Sequence, residues 1–231
     1  MRITFLLPYR CDASSHDRNA QLDLFMATMP TLLRGVECHY IVCEQSDDRR
    51  KFNKGAVVNA GFIAANMDPE ELVCIHDIDL LPCTDIYNEY TKALPVDTVR
   101  HIGNGFRRYT HCKKYMGGVL LMRAKNFTAM NGFPNDFEGW GGVDDIMGRR
   151  IRQLFTVEKS NGTLLDLENL DSVEKKLAQL VTSRAVGRRR SNKMRFYHGD
   201  SMYTHGLSDV RFHIVLAEQL LQTTRIRVHL V

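Results

Sequence analysis

The apolar run Leu72-Val73-Cys74-Ile75 and the turn after it, His76-Asp77-Ile78-Asp79, limit the possible folds of this chain more than any other stretch. Contiguous apolar residues without alternation fit a strand buried on both faces, the habit of parallel sheets covered by helices on either side. In such sheets ligands bind beyond the carboxyl ends of the strands. Asp77 and Asp79 stand at that end, two residues apart, so both can turn toward one ligand where the strand opens into a loop. A hard divalent cation takes oxygen donors, commonly one or two carboxylates plus substrate phosphates. The spacing suits a metal-bound diphosphate, although Asp-x-Asp also arises in solvated surface loops.

The rest of the chain repeats the alternation of strand and helix. Strand-like runs at 3–7, 39–43, 72–75, 99–102 and 119–122 alternate with helical patterns, which predicts an α/β fold with a three-layer α/β/α sandwich and a mainly parallel central sheet. Leu22, Phe25, Met26 and Met29 recur at helical spacing before Pro30 and Gly35, and read as core packing. Further helices are expected over 53–66, 125–130 and 144–154. Residues 171–186 read as an amphipathic helix with Asp171 and Glu174 as a capping box, inside a mobile or inserted segment of about 160–195 that lies outside the central sheet. At 231 residues the whole chain, 1–231, is expected to form a single domain.

Composition excludes several classes. A net charge of +4 is modest, and the basic run Arg188-Arg189-Arg190 has no interleaved aromatics, so nucleic acid is not an expected partner. No apolar run approaches a membrane span, and the first strand begins almost at Met1, so the expectation is a soluble, cytoplasmic chain without signal, anchor or stem. A Golgi chain trimmed of its targeting segment would look the same. Six cysteines show neither zinc spacing nor a disulfide framework.

Three further segments carry chemistry. Glu138-Gly139-Trp140-Gly141-Gly142-Val143-Asp144-Asp145 sets the chain's one Trp among glycines and before two acids that open a helix. A Trp face packs on a sugar and carboxylates accept its hydroxyls, while the plain alternative is that Asp144 and Asp145 complement a helix dipole. His198-Gly199-Asp200 offers an imidazole that could complete a metal sphere begun by Asp79, with weaker claims for His205 and His213. Pro8-Tyr9-Arg10 and Phe52-Asn53-Lys54 supply a flat ring, Tyr9 or Phe52, for a base and a cation, Arg10 or Lys54, for phosphates. No glycine-rich nucleotide fingerprint is present.

Taken in order, these segments resemble the β-1,4-galactosyltransferase family, including its xylose-using branch, and the resemblance covers most of the chain. It is carried by Pro8-Tyr9-Arg10, by Phe52 to Phe62, by His76-Asp77-Ile78-Asp79-Leu80-Leu81-Pro82, by Tyr115-Met116-Gly117-Gly118-Val119, by Asn131-Gly132-Phe133-Pro134-Asn135, by Gly139 to Asp145 and by Gly206 to Val210. The resemblance implies a GT-A fold and inverting transfer of galactose from UDP-galactose to a sugar hydroxyl of a glycan acceptor, with Mn²⁺, or Mg²⁺ in its place.

Residue by residue, the resemblance implies that Asp79 and His198 ligate the metal, with Asp200 standing where the xylose branch has a second imidazole. Asp144 would be the catalytic base. Pro8, Tyr9, Arg10, Phe52, Lys54, Asp77, Ile78, Tyr115 and Trp140 would line the donor site, with Tyr115 favouring galactose over N-acetylgalactosamine. Trp140, Gly141, Gly142, Asp144 and Asp145 would meet the acceptor. Two departures bear on that acceptor: Val143 replaces the family's Glu and Glu138 its Trp. Alternative readings are the same fold with N-acetylgalactosamine or glucose as donor sugar, a nucleotide-sugar hydrolase, and a noncatalytic sugar-binding module.

Overall fold

A computed structural model describes residues 1–11, 17–109, 111–112, 114–182 and 204–231. The first strands and helices follow the expected alternation: β1 (Arg2–Tyr9), α1 (Arg18–Leu32), β2 (Glu37–Gln45), α2 (Lys54–Ala65), β3 (Leu72–His76), β4 (Leu80–Pro82), α3 (Tyr87–Thr91), β5 (Thr98–His101), β6 (Val119–Arg123) and α4 (Ala124–Ala129). After them come α5 (Val143–Leu154), β7 (Thr156–Lys159), β8 (Leu164–Asp166), α6 (Val173–Thr182), β9 (Phe212–Leu220) and β10 (Thr223–Leu230).

Eight strands form one mixed sheet in the order β7-β5-β6-β3-β1-β2-β10-β9. Its centre, β3-β1-β2-β10, is parallel throughout, and β6 and β9 run antiparallel to their inner neighbours. Period-2 geometry divides the buried side chains into two layers. Val73 and Ile75 of β3 join Val57, Phe127, Phe133 and Ile146 on one face, whereas Leu72 and Cys74 join Phe25, Met29 and Tyr90 on the other. Burying each such large apolar side chain contributes about 1.5–3 kcal/mol. The sandwich expected from the sequence is the one observed.

Local signals explain the ends of the helices. The Asn53 side chain accepts from Ala56 N and opens α2, and Asn66, at φ 44°, closes it in the left-handed region. The α6 helix starts later than its pattern suggests, because Ser172 Oγ, not Asp171, accepts from the Lys175 N–H, while Asp171 pairs with Lys175 at 2.8 Å. In the described part of the 160–195 segment, β8 pairs with β4 in a two-stranded sheet separate from the central one. Residues 183–195 lie outside the described residues.

The C-terminal hairpin was not among the expected elements. Strand β10 lies between β2 and β9, with Ile226, Val228 and Leu230 buried and Arg225 and Arg227 both on Glu44, at 2.7 and 3.0 Å. Among the described residues no helix is long and apolar enough to cross a membrane. All six cysteines are free thiols.

Candidate active site

Strand β3 ends on His76, whose ring is fully buried against Phe25 and Tyr90. Its Nδ1 donates to Asp77 O at 2.9 Å and its Nε2 accepts from Tyr90 Oη at 2.8 Å. Burial lowers its pKa to about 3, so the ring is neutral and serves as a fixed peg beneath the turn. A second bond, from Asp77 N to Gly118 O at 2.8 Å, ties the turn to β6. Asp77 and Asp79 thereby leave the strand over the carboxyl edge of the parallel sheet.

Lys54, the first residue of α2, reaches across this edge. Its Nζ lies 2.8 Å from Asp77 Oδ1 and 3.2 Å from Asp144 Oδ1. Burial opposes its charge, yet the carboxylates of Asp144 and Asp77 raise its pKa above the ordinary lysine value. Asp77 is itself raised, first by burial and then by Asp144, with Lys54 pulling the other way. One ammonium thus joins the strand turn to the helix that carries the expected base.

Helix α5 is aimed by the glycine loop before it. Gly139, Gly141 and Gly142 take φ of 73°, 95° and 89°, values that side chains rarely adopt, and Asp144 and Asp145 fall in the first helical turn. Gly117 makes room for the result, since a Cβ there would sit 2.7 Å from the Asp144 carboxyl carbon and 2.9 Å from Tyr115 Cε2. Tyr115 stacks on Tyr109 with ring centroids 4.1 Å apart, and burial raises its phenol well above the ordinary value. Asp77, Lys54, Asp144 and Tyr115 therefore converge on one cleft.

The other carboxylate of the turn faces a different cation. Asp79 Oδ2 accepts from Arg18 Nη1 at 3.3 Å, and Arg18 Nη2 donates to Glu168 Oε1 at 3.0 Å. Burial and the neighbouring Asp77 charge raise the Asp79 pKa, and Arg18 opposes them. The carboxylate oxygens of this turn, balanced in the structure by Lys54 and Arg18, are of the kind that suits a hard divalent cation. Among the described residues, no three His, Cys, Asp or Glu are arranged to hold a metal ion. The expected ligands His198 and Asp200 lie outside the described residues.

The remaining expected residues separate into those at the cleft and those turned from it. Trp140, Gly141 and Gly142 are half-buried in the loop before α5, and Asp145 is exposed at its start. Phe52 keeps part of its ring accessible at the edge of the core, and its carbonyl accepts from Gly139 N at 2.7 Å. Tyr9 offers no free face: its ring is 1% exposed, lies under the Arg225 guanidinium and bonds to Asn19. A flat surface for a base is left to Phe52. Pro8 is buried within β1, and Arg10 is spent on Arg50 O at 2.6 Å and on Asp47 and Asp48.

The Ile78 side chain is 3% exposed and belongs to the core, so only its backbone can meet a ligand. Val143 is likewise buried, as the apolar first residue of α5. His205 pairs with Asp209 at 2.6 Å within the turn that precedes β9, and His213 is exposed on the edge strand β9. Arg18, Glu168, Arg108 and Lys176 were not anticipated, because their pairings span distances with no local pattern. Asp166 and Glu168 repeat the acid-x-acid spacing of Asp77 and Asp79, but so do Asp68 with Glu70 and Asp136 with Glu138, so the spacing alone does not single them out.

Comparison with known proteins gives a consistent result. Residues 1–92 match the family described as the N-terminal region of glycosyl transferase group 7, and residues 98–170 match the domain described as the N-terminal domain of galactosyltransferase. Beta-1,4-galactosyltransferase 7 of Drosophila melanogaster is 34% identical over 154 residues, covering 65% of this chain and 45% of that protein. Xylosylprotein 4-beta-galactosyltransferase of Caenorhabditis elegans is 29% identical, covering 65% and 50%. The matched stretch takes in half or less of each relative. The crystal structure of the catalytic domain of the Drosophila protein with xylobiose superposes over 100% of this chain and 94% of that one, with a TM-score of 0.73 at 24% identity. A mutant of the same domain, solved with manganese, UDP-Gal and xylobiose, gives 0.72.

Proposed function

We propose that this chain, which belongs to the β-1,4-galactosyltransferase family and has its GT-A fold, is an inverting galactosyltransferase that moves galactose from UDP-galactose to a sugar hydroxyl of a glycan acceptor. The carrying observation is the bridge from Lys54 to both Asp77 and Asp144. It holds a carboxylate suited to proton transfer beside the turn suited to a diphosphate.

Asp144 acts as general base, taking the proton from the acceptor hydroxyl as that oxygen bonds to the anomeric carbon and the bond to the UDP oxygen breaks. Attack from the face opposite the leaving group inverts the anomeric centre without a covalent enzyme intermediate. Lys54 keeps Asp144 in place and shields it from the Asp77 charge. Tyr115, packed on Tyr109, forms a rigid wall for the donor sugar, and Trp140 offers a face to the sugars above it. Asp79, with His198, would hold Mn²⁺, whose charge, when bound, neutralises the departing diphosphate. The manganese, UDP-Gal and xylobiose named for the Drosophila mutant structure support this choice of donor and metal. The buried Val143, where the resemblance expects a Glu, leaves the acceptor contact to Asp145 and the glycine backbone.

An array of glycan acceptors incubated with UDP-galactose and Mn²⁺, read by product mass, tests the reading. A mass gain of one hexose is expected, and it is lost in Asp144→Asn while UDP and Mn²⁺ still bind. UDP release at full rate without any acceptor would instead make the chain a hydrolase.

A further inference from the structure

The charge network beside the Asp79 turn exceeds what transfer chemistry requires. Glu168 has a side chain only 1% exposed and collects three cations: Lys176 Nζ at 2.7 Å from both its oxygens, Arg108 Nη2 at 2.9 Å and Arg18 Nη2 at 3.0 Å. These neighbours lower its pKa to about 2 despite its burial. Its position is fixed from below, since Glu168 N donates to Asp166 Oδ1 at 3.0 Å and Leu167 N donates to Asp79 O at 2.8 Å. Glu168 is thus a rigid anion one residue from a backbone bond to Asp79.

Arg18 is shared between this anchor and the turn. Its Nη1 lies 2.8 Å from Gln21 Oε1 and 3.3 Å from Asp79 Oδ2, and its contact with Glu168 is the shorter of its two carboxylate contacts. We propose that Arg18 is a built-in counter-cation for Asp79 which a divalent cation must displace, and that Glu168 holds Arg18 nearby once displaced. The inference rests on the reading of Asp79 as a metal ligand. An ion at Asp79 adds positive charge next to a guanidinium that Glu168 keeps from leaving, so Arg18 weakens binding of the bare ion. A diphosphate brings compensating negative charge, and metal and nucleotide become energetically coupled through this one side chain.

Glu168 and Arg18 are separated by 150 positions, and Glu168 lies in the segment just after β8, so the coupling depends on that segment being docked. Arg18 is partly exposed in the first turn of α1, and its replacement leaves the core untouched.

The test measures free Mn²⁺ by electron paramagnetic resonance during titration of the protein, with and without UDP. Arg18→Gln is expected to tighten Mn²⁺ about tenfold in the absence of UDP and to shrink the further tightening that UDP produces. A second variant, Arg18→Gln with Asp79→Asn, should abolish the gain and so locate the ion at Asp79. Unchanged or weaker binding in Arg18→Gln, with normal binding by the unaltered chain, overturns this inference alone. No Mn²⁺ binding by the unaltered chain with UDP present overturns the metal reading and this inference together.

Discussion

Lys54 Nζ and Asp144 Oδ1 stand 3.2 Å apart, and the same ammonium lies 2.8 Å from Asp77 Oδ1. Two carboxylates, one from the turn after β3 and one from the first turn of α5, are therefore held together by a single, largely buried cation. Without that cation the two would repel, since the Asp144 charge raises the cost of ionising Asp77.

Replacing Lys54 by Met should separate the base from the turn. A misplacement of about 1 Å costs roughly a factor of 10² in turnover, and that loss is expected in kcat. Because Lys54 pulls the Asp77 pKa down, its removal should also move the acid limb of the activity profile to higher pH. Initial rates between pH 5 and pH 9 (a range of about four units around neutrality) check both.

Gly117→Ala should harm catalysis with little effect on nucleotide binding. The added methyl would meet the Asp144 carboxyl at 2.7 Å and the Tyr115 ring at 2.9 Å, so both must shift. A fall of about tenfold or more in kcat is expected, with UDP affinity by calorimetry within about twofold of the unaltered chain.

His76 should make the fold acid-sensitive. Its pKa is lowered to about 3 by burial, below its ordinary 6.5, so the unfolded chain binds the proton first as pH falls. Its contribution is complete above pH 6.5 and is lost as pH drops toward 3. Urea unfolding at a series of pH values should show a slope about 1.4 kcal/mol per pH unit shallower in His76→Asn than in the unaltered chain within that window. Equal slopes would mean that His76 is protonated in the fold.

Arg150→Met should cost stability far out of proportion to one surface charge. The guanidinium is fully buried and donates to Met130 O, Asn131 O, Gly132 O and His205 O at 3.2, 3.2, 2.7 and 2.6 Å. Leaving these carbonyls unpaired is expected to cost about 3 kcal/mol, or roughly 10 °C in Tm. Differential scanning calorimetry gives the value directly.

Elements with strong local patterns were legible in the sequence. The run Leu72 to Ile75, the Asn53 cap and the acids opening α5 each state their structure within a few residues. Short strands were not, because the three residues of β4 or of β8 carry no period. The strand β10 does alternate, with Ile226, Val228 and Leu230 inward, but its intervening Arg225, Arg227 and His229 keep it from reading as an apolar run. Motifs single out Asp77, Asp144 and Tyr115, which the fold brings together, whereas the burial of Tyr9 and Ile78 follows only from packing. Arg18 and Glu168 lie far apart in the chain, and no spacing in the sequence announces their meeting.

Arg225 of β10 and its partner Glu44 of β2 are 181 residues apart. The strand that carries Arg225 lies inside the sheet, so the parallel core is incomplete until the late β9–β10 hairpin has been synthesised and has docked β10 on β2. Such non-local closure makes folding slow, and it leaves β2 as an open edge on a nascent chain. The cell must keep this edge from pairing with other chains during that interval, which makes the hairpin a determinant of yield as much as of architecture.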